Sequence, residues 1–175
     1  GDVRGRRVVD LCAAPGGKTM QLAAAGAAVT AVDQSKARRA RLRENLARTG
    51  LAAETVVADA AAWRPDAPAE AVLLDAPCSA TGTIRRHPDL PHLKREADVA
   101  TLSGLQDRLL DAAWAMVAPG GVLVFATCSL LPEEGETRVA AFLARTAAAR
   151  RRPVTVAETG EPDLITSEGD LRTRP

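Results

Sequence analysis

Residues 7–19, RVVDLCAAPGGKT, decide the fold. RVVDL is a short apolar run that reads as a buried strand. Gly16 and Gly17 break it, and a helix is expected from Gly17 to about Ala25. A strand that enters a helix through a glycine turn is the opening unit of a doubly wound sheet. Bare glycine backbone and the open N–H groups of the helix N-terminus let a ligand approach there. The stretch is not GxGxxG. A phosphate-binding GxxxxGK[ST] loop needs glycine where Cys12 stands. A plain strand–helix turn without a ligand is the alternative.

Outward from this unit, strands and helices alternate. AAVTAVD (27–33) precedes a helix expected over 35–49, where Leu42 and Leu46 share a face. ETVVAD (54–59) leads to a short polar segment around Trp63, and EAVLLD (70–75) to the connection 76–96. A helix is expected over 97–117, because Leu102, Leu105, Leu109, Ala113 and Met116 recur at helical spacing. GGVLVFAT (120–127) reads as the fifth strand, with a helix over 134–147 after it. VTV at 154–156 is the last segment with strand character. Apolar strands without alternation belong to a parallel sheet covered on both faces. The expected fold is α/β: a Rossmann-like, mostly parallel, doubly wound sheet. Residues 1–150 read as the catalytic core and 151–175 as a polar extension.

Composition excludes several classes. The 175 residues are 46% apolar and carry a net charge of +1, which suits a globular domain with no global basic field. Tyr is absent, with two Trp and two Phe, so no aromatic platform for stacked bases is expected. Three well-separated cysteines without a CxxC pair argue against a disulfide framework or zinc site and for a reducing, cytoplasmic setting. No run reaches membrane-spanning length, and the N-terminus does not resemble a signal peptide. His87 and His92 lack a matching cysteine or carboxylate pattern, so no metal is expected.

The candidate chemistry lies at strand ends. Asp33, Asp59 and Asp75 are each expected to close a strand. A carboxylate after the second strand can accept ribose hydroxyls, and one after the third can receive an exocyclic amine. Together they outline an adenosine-bearing cofactor, although single acids there are often helix caps. Cys78 in DAPCS and Cys128 in TCS each follow an apolar run. A cysteine is commonly a small buried hydrophobe, but a thiol at the ligand-binding edge also suits a nucleophile, with Lys18, Arg85 or Arg86 supplying positive field. RRHPDLPHLKRE (85–96) suits either a solvated loop or a phosphate backbone. The basic helix SKARRARLRENLAR reads as a solvated face outside a leucine stripe, with RNA contact as the lesser alternative.

DLCAAPGGKT, VDQSKARRARLRENLAR, LLDAPCSATGTIRRHPDL and FATCSLLPEEGE together resemble the motif set of the NOL1/NOP2/Sun family, in order and at similar spacing. These are S-adenosylmethionine-dependent RNA cytosine-C5 methyltransferases. RRHPD is most similar to the bacterial Sun/Fmu branch, which acts on 16S ribosomal RNA. The resemblance implies a class I methyltransferase fold, here without its final strands. It implies that Cys12, Ala13, Ala14, Pro15, Gly16, Gly17 and Lys18 wrap the methionine part of S-adenosylmethionine, with Asp33 on the ribose and Asp59 on the adenine edge. Asp75 and Lys18 would hold the polar edge of cytosine. Cys128 would attack, Cys78 would assist release, and Arg85, Arg86 and His87 would meet RNA. The family's N-terminal RNA-binding region and final aromatic hairpin have no counterpart here. GDLRTRP (169–175) resembles the stretch preceding that hairpin. Methyl transfer to tRNA or DNA cytosine, and a non-catalytic RNA-binding or ribosome-assembly module, are the competing readings. Nothing in the sequence sets an oligomeric state.

Overall fold

The computed structural model describes residues 2–93 and 95–173. Lys94 of the 85–96 segment and Arg174 and Pro175 of GDLRTRP lie outside the described residues. The chain forms two compact units. One is Asp2–Pro77 with Leu105–Ala126, and the other is Cys78–Gly104 with the chain from Thr127 onward.

The first unit is built on a five-stranded sheet. Its strands are β1 (Arg7–Leu11), β2 (Ala28–Asp33), β3 (Glu54–Val57), β4 (Ala69–Asp75) and β5 (Val117–Ala126). Their order is β3-β2-β1-β4-β5, and every neighbouring pair is parallel. Helices α1 (Gly17–Ala24) and α2 (Lys36–Thr49) connect the first three strands. Val8, Val9, Asp10 and Leu11 are all buried although successive residues face opposite ways. Both faces are therefore covered at β1, as the unalternating sequence requires. Leu42 and Leu46 of α2 pack with Ala13, Ala14 and Ala31. Helix α2 has clear stop signals: Ser35 accepts the Arg38 N–H at its start, and Gly50 ends it at φ 67°.

The second unit carries a 3-10 turn at Thr81–Thr83, helix α3 (Leu90–Leu93) and the start of α4 (Glu96–Trp114). It also holds a 3-10 turn at Pro132–Glu134, α5 (Glu136–Arg145) and α6 (Val156–Thr159).

Four expectations about elements change. The third strand stops at Val57, so Asp59 does not close it; Asp59 Oδ1 accepts the Ala61 N–H, and its carbonyl accepts from Ala62 and Trp63 in a turn. Val154–Val156 is not a strand. Thr155 forms a capping box with Glu158 and starts α6. The 76–96 connection contains two turns of helix rather than open loop. β5 begins earlier than its glycines suggest, because Val117 pairs with Ala69 before the register shifts and Ala71 meets Val122.

Candidate active site

The strand order reverses between β1 and β4: the chain winds outward through β2 and β3, then returns to the far side of β1. Ligands in such sheets bind at that switch point, beyond the carboxyl ends of the strands. The sequence places its densest motif there. Leu11 pairs with Leu74, so Cys12 and Asp75 leave the sheet side by side. Cys12 turns with φ 61°, and Gly16 turns again at φ 102°. A Cβ on Gly16 would meet Leu42 Cγ at 3.0 Å, which fixes glycine there, whereas one on Gly17 would meet nothing within 4 Å. The backbone over Gly17 is open to a ligand.

Helix α1 has no side-chain cap and no acid in its first turn. Its first N–H groups therefore suit an anionic group such as an amino-acid carboxylate. Lys18 Nζ donates to Asp75 Oδ2 at 2.8 Å, and both side chains stay accessible at 45% and 36%. Asp33 is 3% exposed. Its Oδ2 accepts from the Ala14 N–H and faces the Arg38 guanidinium at 3.1 Å, while Oδ1 accepts the Ser35 N–H. One lone pair on Oδ1 remains for a further donor. Arg38 also donates to the Ala14 carbonyl at 2.8 Å. The basic helix is thus not only a solvated face: Arg38 braces the loop at Ala14.

Beneath the loop, Asp10 is fully buried. Its Oδ2 accepts the Thr19 hydroxyl at 2.5 Å, and Oδ1 has no partner. Burial pushes its pKa up to about 6 against the Thr19 hydrogen bond, with Asp75 adding to the rise and Lys18 opposing it. Cys12 is pushed up to about 12, first by burial and then by Asp33, so it stays a thiol. A groove of about 690 Å³ in this unit lies toward the amino-terminal halves of β1 and β2 and Trp63. It is at the other end of the strands from these residues and holds none of them.

The second unit brings the other two thiols together. Cys78 Sγ and Cys128 Sγ are 3.4 Å apart. The Cys78 pKa is raised, first by its hydrogen bond with Cys128 and then by burial, with the Ala80 backbone opposing. Cys78 therefore keeps its proton, and Cys128 is the exposed thiol of the pair. Gly82 N–H donates to the Cys128 carbonyl at 2.9 Å. Arg85, Arg86 and His87 are exposed on the turn after Thr83. Among the described residues no group of three or more His, Cys, Asp or Glu is placed to hold a metal, and no helix is long and apolar enough to cross a membrane.

Asp10, Thr19, Arg38, Ser79, Ser129 and Glu134 were not singled out by the motifs. A signal existed for two of them: the residue after Cys78 and the residue after Cys128 are both serine.

A parallel 3-2-1-4-5 sheet with a glycine turn and the Lys18–Asp75 ion pair at its switch point is a Rossmann-like arrangement, and its solved structural neighbours give it the S-adenosylmethionine-dependent methyltransferase fold. The family model described as 16S rRNA methyltransferase RsmB/F matches residues 3–172, and the chain belongs to that family. The ribosomal RNA small subunit methyltransferases B of Erwinia tasmaniensis and Pseudomonas syringae pv. tomato are each 49% identical. Each alignment covers 90% of this chain, but only 37% and 36% of those relatives. The chain thus spans little more than a third of their length. The crystal structure of NSun6 from Pyrococcus horikoshii with SFG superposes with a TM-score of 0.73 at 34% identity, over 80% of this chain and 37% of that one. The family read from the four motifs is borne out.

Proposed function

We propose that this chain is the catalytic core of an enzyme that transfers a methyl group from S-adenosylmethionine to C5 of a cytosine in 16S ribosomal RNA, in the bacterial cytoplasm. The observation that carries the reading is the thiol pair: the sulfurs of Cys78 and an exposed Cys128 lie 3.4 Å apart. The core is assigned to residues 1–150.

The loop residues fit the cofactor. The open backbone at Gly17 and the uncapped start of α1 suit its carboxylate, and Cys12 to Lys18 are assigned to its methionine part. Asp33 has one lone pair left for a ribose hydroxyl, and Asp59 is assigned to the adenine edge. The bound cofactor supplies an electrophilic methyl on a sulfonium. Everything else must come from side chains.

Cytosine C5 is too weak a nucleophile to take that methyl unaided. The Cys128 thiolate adds to C6, and the ring becomes enamine-like at C5 provided N3 is protonated or strongly hydrogen-bonded. Asp75 and Lys18 are assigned to that polar edge, and Lys18 is the ammonium donor beside Asp75. After methylation C5 loses its proton to a base, the S–C6 bond breaks, and Cys128 is restored. Cys78 suits release for a physical reason. Its pKa is raised chiefly by the sulfur of Cys128, and that sulfur is occupied once bonded to C6. Cys78 is then a protonated thiol before attack and ionises more readily afterwards, giving its proton to solvent, so that its thiolate can take the C5 proton. Arg85, Arg86 and His87 are assigned to phosphate contact. A paired target base would have to be flipped out.

Trapping on 16S RNA carrying 5-fluorocytidine, where C5 has no proton to lose, tests the reading. Wild type forms a stable adduct, Cys128→Ser forms none, and Cys78→Ser accumulates adduct on ordinary RNA. Loss of the adduct in Cys78→Ser with retention in Cys128→Ser overturns the order and favours the DNA-enzyme pattern, in which the Pro-Cys thiol attacks.

A further inference from the structure

The strand-end thiols share one buried support. Glu134 is 0% exposed although it is an acidic side chain in a short turn. Its carboxylate accepts the Ser79 N–H at 2.9 Å on Oε1 and 3.2 Å on Oε2, and the Ser79 hydroxyl also donates to Oε2. Ser79 Oγ lies 3.2 Å from Ser129 Oγ, which lies 3.1 Å from Thr81 Oγ1. Thr81 Oγ1 accepts the Leu130 N–H, and Ser129 Oγ accepts the Leu131 N–H.

Counting protons gives this chain a direction. The Ser79 hydroxyl proton is committed to Glu134, so Ser79 Oγ must accept from Ser129. Ser129 then has no proton left for Thr81, so Thr81 donates to Ser129. The order Thr81 to Ser129 to Ser79 to Glu134 holds only while its last member accepts from both Ser79 donors. Ser79 follows Cys78 and Ser129 follows Cys128, so each thiol is anchored through the next residue.

We infer that Glu134 is a positioning residue for methyl transfer: through Ser79 and Ser129 it sets the spacing of Cys78 and Cys128. This rests on the proposed covalent mechanism, but the spacing can be measured apart from activity. Gln at 134 has nearly the same shape, but its N–H₂ either opposes the Ser79 N–H or faces the Ser79 hydroxyl, which must then turn to accept and so reverses the order of the chain. Asp keeps the acceptor chemistry with a shorter reach.

The test closes the Cys78–Cys128 disulfide with diamide, whose azo group takes up the two electrons and two protons that the thiols release. Mass spectrometry of the linked peptides gives the rate. Adduct formation on 5-fluorocytidine RNA and calorimetry with S-adenosylmethionine run in parallel. Glu134→Gln should slow both disulfide closure and adduct formation at least about tenfold, leave cofactor affinity unchanged, and be partly rescued by Glu134→Asp. If Glu134→Gln does not fold, Thr81→Val and Ser129→Ala interrupt the same chain and should slow both rates. Closure and adduct rates like wild type, in Glu134→Gln or in both hydroxyl variants, overturn the inference. No adduct from wild type would instead sink the proposed reaction, and the disulfide rates would still judge Glu134.

Discussion

The sulfurs of Cys78 and Cys128 stand 3.4 Å apart although fifty residues of chain separate them. Two thiols this close do not ionise independently, because each is the other's hydrogen-bond partner and each negative charge would oppose the other. The hydrogen bond with Cys128, and then burial, raise the Cys78 pKa, so Cys78 keeps its proton, and Cys128 is the exposed thiol of the pair.

Replacing Cys128 by Ala should therefore lower the Cys78 pKa, since it removes the largest cause of the rise and leaves burial in place. Alkylation proceeds through the thiolate. Iodoacetamide should modify Cys78 faster in Cys128→Ala than in wild type near pH 8.5, by roughly tenfold for each pKa unit recovered. Mass-spectrometric rates against pH measure it. An unchanged Cys78 profile would show that Cys128 does not hold the Cys78 proton.

Gly82 offers a steric probe of the same pair. Its N–H donates to the Cys128 carbonyl, and a Cβ there would meet that oxygen at 2.8 Å. Both groups are backbone, so neither can swing aside. Gly82→Ala should push the Cys128 peptide away at a stability cost of about 1–3 kcal/mol. It should cut adduct formation at least about tenfold while leaving S-adenosylmethionine affinity as in wild type. Calorimetry and single-turnover trapping separate the two effects. Full-speed adduct formation would mean that the Cys128 peptide has room to move.

Much of this architecture was legible in residues alone. RVVDL matched β1 residue for residue, and the Gly-turn, Asp33 and Asp75 fell at the strand ends where apolar runs stop. Those features are local, set by strand burial and by breaker residues. What stayed hidden was partnership. Arg38 looks like any other arginine of a basic helix until folding brings it to Asp33 and the Ala14 carbonyl. Glu134 reads as an acid at a helix start, and only a contact across 55 residues turns it into a buried acceptor. Asp59 shows the opposite error: ETVVAD reads as strand to its end, yet the Asp59 side chain closes its own turn with Ala61. The different tasks of the two thiols came from family resemblance, since spacing treats them alike.

Lys18 and Asp75 separate stability from chemistry. Their ion pair is about half exposed, so breaking it should change stability by less than about 1 kcal/mol. If Lys18 works at the cytosine edge, Lys18→Met should still lower the single-turnover methylation rate by about 10²–10⁴. Thermal unfolding and single-turnover kinetics on one preparation settle it. A rate within about threefold of wild type would remove Lys18 from the reaction.

Asp10 should leave its mark on the pH dependence of folding. Its folded pKa of about 6 lies above the ordinary 3.8, chiefly because the carboxyl is buried, with Asp75 adding to the rise. A carboxyl with a raised folded pKa binds more protons in the folded chain than in the unfolded one. Its contribution is complete below the unfolded pKa and is lost as pH climbs through the folded value. About two pKa units correspond to roughly 3 kcal/mol lost between about pH 4 and pH 7. Asn at 10 cannot ionise and escapes this loss. Any penalty for burying its amide is the same at every pH and cancels when one variant is compared across pH. Urea unfolding should therefore show Asp10→Asn gaining on wild type by up to about 3 kcal/mol over that window. A difference between the two proteins that stays flat with pH would mean that Asp10 ionises at its ordinary value, and that water or Lys18 reaches Oδ1.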